Sequence, residues 1–119
     1  SLASGIAGAS LKRALPALSV RQAASVLEAD LQRARTRSLI ESEPVRLNFF
    51  EDGYKIKKLE LNRTLPSGVL LIWNGERPLF FASGIPSSGG TIGVTRGDRN
   101  VQIHIEPFTG RVSREAPQQ

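Results

Sequence analysis

Residues able to do chemistry are sparse in this chain. A single histidine, His104, sits in the run Val101-Gln102-Ile103-His104-Ile105, and no cysteine occurs among the 119 residues. One histidine without cysteine leaves a zinc site short of its usual ligands and excludes a disulfide framework. Alternation along that run turns His104 to the polar face of a strand, with no base or nucleophile beside it in sequence. The carboxylates Glu51, Asp52, Glu76, Asp98 and Glu106 fall at turns, where turn chemistry accounts for them. No catalytic, metal-binding or cofactor-binding residue is therefore expected, and an enzyme is not expected either.

The segment from Phe81 to Gly90, FASGIPSSGG, has the composition of a phosphate cradle. A cradle aims several backbone N–H groups at one point and is usually completed by a helix N-terminus and a lysine. Here Gly89-Gly90 lead instead into Thr91-Ile92-Gly93-Val94-Thr95, which is β-branched and alternating, and no Lys or Arg falls between Arg77 and Arg96. The run is expected to be a flexible turn between two strands. Arg96-Gly97-Asp98 spells a receptor-binding tripeptide, but its residues are ordinary turn formers between two alternating runs. The remaining chemistry is cationic. Lys55, Lys57 and Lys58 are read as one strand's cluster, and Arg111 with Arg114 as another; brought together they would form an anion or DNA patch. Lysines on a solvated strand face also resist edge-to-edge pairing, without any ligand.

Helices and strands must position these groups. Ser19 and Gln22 have the spacing of a capping box. Behind them Val20, Ala24, Leu27, Leu31 and Ala34 recur at steps of three and four, the stripe of a helix that packs or assembles on one face. Glu28 and Asp30 are expected to pair with Arg33, Arg35 and Arg37 on the helix surface. Pro44 ends the pattern, which places a helix at 19–41. Beyond it the period drops to two. Val45, Leu47 and Phe49 share a face; Glu51-Asp52-Gly53 reads as a hairpin turn with positive φ at Gly53. Tyr54 and Ile56 alternate, then Leu59 and Leu61 change parity, which predicts a β-bulge at Lys57-Lys58. Pro66-Ser67-Gly68 turns into Val69–Trp73, Asn74-Gly75 predicts a tight return to Pro78–Phe81, and strands at 91–95, 101–105 and 111–113 follow.

One helix and then six or seven antiparallel strands predict an α+β fold, the helix laid on a meandering sheet. The length allows one domain, and 39% hydrophobic with 23% charged residues suits a folded chain rather than a disordered one. The net charge of +5 raises nucleic acid and anionic lipid as partners, although the excess is spread along the chain. No methionine occurs, even at position 1. Residues 1–18 are accordingly expected to be a stub or linker left after a removed membrane segment, ahead of a globular domain at 19–119.

The order of these pieces resembles a known family. Leu27, Leu31 and Ala34-Arg35, then a polar break and Pro44-Val45-Arg46-Leu47, resemble the region after the membrane segment of the type II secretion system protein H (GspH) family of minor pseudopilins. Phe81, Gly84, Ser87, Ser88, Gly89 and Gly90 match that family's serine–glycine loop, and Thr109-Gly110-Arg111-Val112 its closing turn. The resemblance covers residues 13–119. It implies a type IV pilin-like fold, with a membrane helix absent from this sequence, and a single-pass protein of the bacterial inner membrane whose globular domain lies in the periplasm. It also implies a structural role near the tip of the pseudopilus in protein transport, with other minor and major pseudopilins as partners. A FimT-like minor pilin that binds DNA during uptake is the alternative. Gly110-Arg111-Val112-Ser113-Arg114 is one residue longer than the Gly-Arg-x-Arg of those proteins, and their frequent cysteines are missing.

Overall fold

A computed structural model of the chain describes residues 20–115. The expected cap Ser19, the expected stub over 1–18 and the tail over 116–119 lie outside the described residues. Helix α1 spans Val20–Glu41. It stops where Ser42 turns left-handed at φ 55° and Pro44 follows two residues on, a frequent way to end a helix. The strands are β1 (Val45–Phe50), β2 (Gly53–Ile56), β3 (Leu61–Thr64), β4 (Leu70–Trp73), β5 (Leu79–Ala82), β6 (Ile85–Pro86), β7 (Gly90–Arg96), β8 (Arg99–Ile105) and β9 (Val112–Arg114). No helix among the described residues is long and apolar enough to cross a membrane.

The fold is α+β, one helix packed on antiparallel strands, as the periodicities predict. The strands do not form a single meander. They make a five-stranded sheet in the order β3-β2-β1-β5-β6 and a four-stranded sheet in the order β4-β7-β8-β9. Three connections pass between the sheets. Gly68, at φ 86°, sits in the turn closed by the Val69 N–H donating to the Pro66 carbonyl at 3.0 Å, which takes the chain from β3 to β4. Asn74-Gly75 does not fold back into a hairpin, because β5 pairs with β1 rather than with β4. The Trp73 ring lies so close to Gly75 that an added Cβ would overlap it, and its indole N–H donates to the Glu76 carbonyl at 2.8 Å. That packing swings the chain toward the other sheet. The third crossing is Ser87 to Gly89, between β6 and β7.

Two local expectations also change. Gly53 opens β2 without a positive φ. It is needed because β3 runs so near that a Cβ there would overlap the Arg63 carbonyl. Lys57 and Lys58 are not a bulge in one strand; Lys57–Leu59 form a 3₁₀ turn closed by Glu60 at φ 56°. The chain reverses there, so that Ile56 pairs with Leu61. Chain reversal, not an inserted residue, causes the change of parity.

α1 crosses β1 and β5 of the first sheet and β7, β8 and β9 of the second. The thinnest dimension of the molecule is 20 Å, the depth of one helix on one sheet layer. Leu27, Leu31, Leu47, Leu79, Phe81, Ile92, Ile103 and Ile105 are fully enclosed between the layers, and each large side chain so buried contributes about 1.5–3 kcal/mol. Phe49 joins the sheets, its ring 5.5 Å from that of Trp73 and 6.3 Å from that of Tyr54, both tilted.

Candidate assembly surface

The glycine-rich run is a built junction. Ser83 and Gly84 have φ of 51° and 79°, so the β5–β6 hairpin closes in a type I′ turn, which needs positive φ at both central residues. This turn docks on the C-terminal half of α1. The Gly84 N–H donates to Ser38 Oγ at 2.9 Å, and that hydroxyl, buried, donates in turn to the Arg35 carbonyl at 2.7 Å. Arg35 Nε donates to the Gly84 carbonyl at 3.2 Å and its Nη2 to the Thr109 carbonyl at 3.1 Å. Gly110, at φ 74°, fits only without a side chain, since a Cβ would overlap the Gly84 carbonyl oxygen. Helix, hairpin and the β8–β9 loop are thus clamped together.

The rest of the run is equally committed. The Ser87 N–H donates to the Phe80 carbonyl at 2.7 Å while Ser87 Oγ accepts from the Phe80 N–H at 3.0 Å. Ser88 Oγ accepts from the Glu76 N–H at 2.9 Å, and the Thr91 N–H donates to Asn74 Oδ1 at 2.9 Å. The expected flexible turn is therefore a packed hairpin and crossover, because its serines close hydrogen bonds that the short strands leave open.

Three exposed apolar side chains flank this junction in sequence. Leu39 beside Gly84, Ile85 in β6 and Phe108 next to Thr109 are 51%, 43% and 84% exposed. A single exposed apolar side chain is ordinary on a protein surface. Three beside one hydrogen-bonded junction are more than the scattered singles that need no explanation. No sequence period marks these three residues, since they come from a helix, a two-residue strand and a loop.

The helix stripe lies on the inner side. Val20, Ala24, Leu27, Leu31 and Ala34 are all buried in the domain's own core. Within that stripe sits Asp30, which surface pairing with nearby arginines does not describe. It is 2% exposed and accepts from Tyr54 Oη at 2.7 Å, from Arg63 Nε at 2.9 Å and from Arg63 Nη2 at 3.3 Å. Arg33 reaches it only at 3.9 Å. Burial, followed by the bond to this carboxylate, pushes the Tyr54 phenol above its ordinary range. Arg63's own hydrogen bond to Asp30 strengthens its hold on its proton. The sequence carried the signal for this burial, because Asp30 falls three residues after Leu27 and four before Ala34.

The basic residues do not form one cluster. Lys55 is exposed on β2, while Lys57 and Lys58 stand in the 3₁₀ turn. Lys58 Nζ bridges Glu41, at 3.7 Å, and Glu43. The hydrogen bond between Lys58 and Glu43 holds the Glu43 carboxyl below its usual value and raises the Lys58 ammonium. Arg114, on the inner side of β9, reaches Glu28 Oε1 at 3.2 Å and Ser25; Arg111 is exposed just ahead of that strand. Glu28 and Glu41 are about 20 Å apart along a helix rising 1.5 Å per residue, so the cations they hold lie toward opposite ends of α1. His104 lies on the outer face of the second sheet, Nδ1 3.4 Å from Thr91 Oγ1 and Nε2 4.0 Å from Glu106. Gly97, at φ 63°, and Asp98 form the two-residue turn between paired Arg96 and Arg99, the turn expected for the tripeptide.

No family model matches the chain, and neither a curated protein nor a solved structure matches it.

Proposed function

We propose that this chain is a minor pseudopilin of a type II secretion system, a structural subunit near the tip of a periplasmic pseudopilus that supports export of folded proteins. Its partners are other minor and major pseudopilins, and a preceding helix holds it in the bacterial inner membrane with this domain in the periplasm. The observation that supports the reading is the set of exposed apolar side chains, Leu39, Ile85 and Phe108, beside the hydrogen-bonded junction of helix, hairpin and loop. A subunit working by assembly needs apolar surface outside its core, and α1 has already spent its stripe inside. The FimT-like, DNA-binding alternative draws less support, since Lys58 and Arg114 are held by carboxylates of the domain itself.

The test replaces Ile85 and Phe108 together by serine. Stability should stay within about 0.5 kcal/mol for each exposed site, while recovery of other pseudopilins from native membranes falls severalfold and export declines. If wild-type protein recovers no pseudopilin under conditions that keep the secretion apparatus intact, the proposal is wrong. Duplex DNA bound by the isolated domain, with affinity falling steeply in salt, would transfer the assignment to the alternative.

A further inference from the structure

Nearly every described glycine has a structural reason to be one. Gly68, Gly84, Gly97 and Gly110 have positive φ; Gly53, Gly75, Gly89 and Gly90 stand where a Cβ would meet another atom within 3.0 Å. Gly93 is the exception. It lies in the middle of β7, its φ is not positive, and a Cβ built there meets nothing nearer than Asn100 Oδ1 at 3.5 Å. Gln102 Nε2 and Ile72 Cβ are both 3.9 Å away, in ordinary contact range. A glycine inside a strand weakens the strand and gives nothing to pack, and it is found at bulges, at tight bends and where a ligand or another backbone comes close.

Gly93 is the floor of a groove of about 400 Å³ on the outer face of the second sheet. Register places Ile72 of β4 and Gln102 of β8 on either side of it, and Thr95 and Asn100 in the next row. On the β4 side the groove is lined by Ile72, 60% exposed and the one large apolar side chain there, with Asn74 just beyond it. The β8 side is amide: Asn100 and Gln102 have carbonyl acceptors and NH₂ donors two residues apart on one face, with the Thr91 hydroxyl in reach of the same floor. Asp98 is the one ionic side chain lining the groove, since alternation sends Arg96 and Arg99 to the side of Val94 and Val101.

This chemistry selects its ligand class. An anion would find no cation and one carboxylate, and a cation would have one carboxylate for company. An apolar ligand would cover amides that need hydrogen-bond partners. A pyranose ring satisfies both walls, its C–H face against Ile72 and its hydroxyls against the amides. We infer that the groove over Gly93 binds a neutral saccharide, a function separate from the assembly role and resting on the outer face of the second sheet alone.

The test is amide-resolved NMR titration of the full chain with maltotriose, cellotriose and chitotriose, each taken to about 10 mM, because so small a contact is expected to bind with Kd on the order of 1 mM. One of the three should shift the signals of Gly93, Thr95, Asn100 and Gln102, and the side-chain NH₂ groups of Asn100 and Gln102. Gly93→Thr, which fills the floor with a residue suited to strands, should weaken that binding at least roughly tenfold with no loss of thermal stability. The inference is overturned if none of the sugars shifts these residues. It is also overturned if a neutral extended peptide such as tetra-alanine shifts them where the sugars do not. A lower melting temperature for Gly93→Thr would show that the strand itself requires the glycine, and would remove the basis of the inference.

Discussion

The Tyr54–Asp30–Arg63 set ties α1 to two strands through an enclosed carboxylate. Tyr54 is also the chain's single tyrosine, so tyrosinate absorbance reports on this site alone. An unfolded phenol loses its proton near pH 10, whereas the folded one is held above that value by burial and by Asp30. Above pH 10 the folded state therefore binds more protons than the unfolded state. The contribution is fully present below that pH and is lost as pH rises, by up to about 1.4 kcal/mol per pH unit. The absorbance rise should coincide with cooperative unfolding rather than precede it. Tyr54→Phe should lose about 1 kcal/mol at neutral pH, and its stability should fall less steeply than wild type above pH 10. A phenol titrating near pH 10 in the intact fold would refute this account.

At the scale of elements, the clamp between α1, the β5–β6 turn and the β8–β9 loop depends on glycines that have no substitute. Gly110→Ala combines a left-handed φ with an overlap on the Gly84 carbonyl and should cost at least about 2 kcal/mol. Gly97→Ala is the control: its φ is also positive, but a Cβ there meets nothing within 4 Å, so about 1 kcal/mol is expected. Urea midpoints at unchanged slope separate the two. The elements themselves were largely legible. Helical spacing from Val20 to Ala34 and alternation in β1, β7 and β8 state which side faces inward. What could not be read was partnership. Asn74-Gly75 has the composition of a hairpin, yet the Trp73 ring over Gly75 sends the chain elsewhere. Gly53 and Gly93 look alike in sequence, and only the nearness of β3 to one and of nothing to the other separates their reasons. Long-range distances decide both, and periodicity carries no information about them.

On the scale of the whole molecule, two sheets share one helix. The direct joins between them are narrow, chiefly the Leu71 N–H donating to the Glu51 carbonyl at 2.9 Å and the ring contact of Phe49 with Trp73. α1 supplies the broader connection, since it contacts strands of both sheets and Leu27 and Leu31 are fully enclosed in the core. Leu31→Ala should cost about 2–5 kcal/mol, and hydrogen exchange should show both sheets losing protection together. Protection lost from one sheet alone would mean that the sheets are separate folding units.

The same arrangement fixes how the domain bears a mechanical load. A pull or thrust along the axis of α1 runs parallel to its contact plane, so it must shear the stripe from Val20 to Ala34, the Asp30–Arg63 pair and the Arg35–Gly84 clamp at once. Bonds placed in parallel share the force, whereas bonds met one after another fail in turn. The domain is stiff in the direction its helix points and yields first to a force that peels α1 away from the sheets.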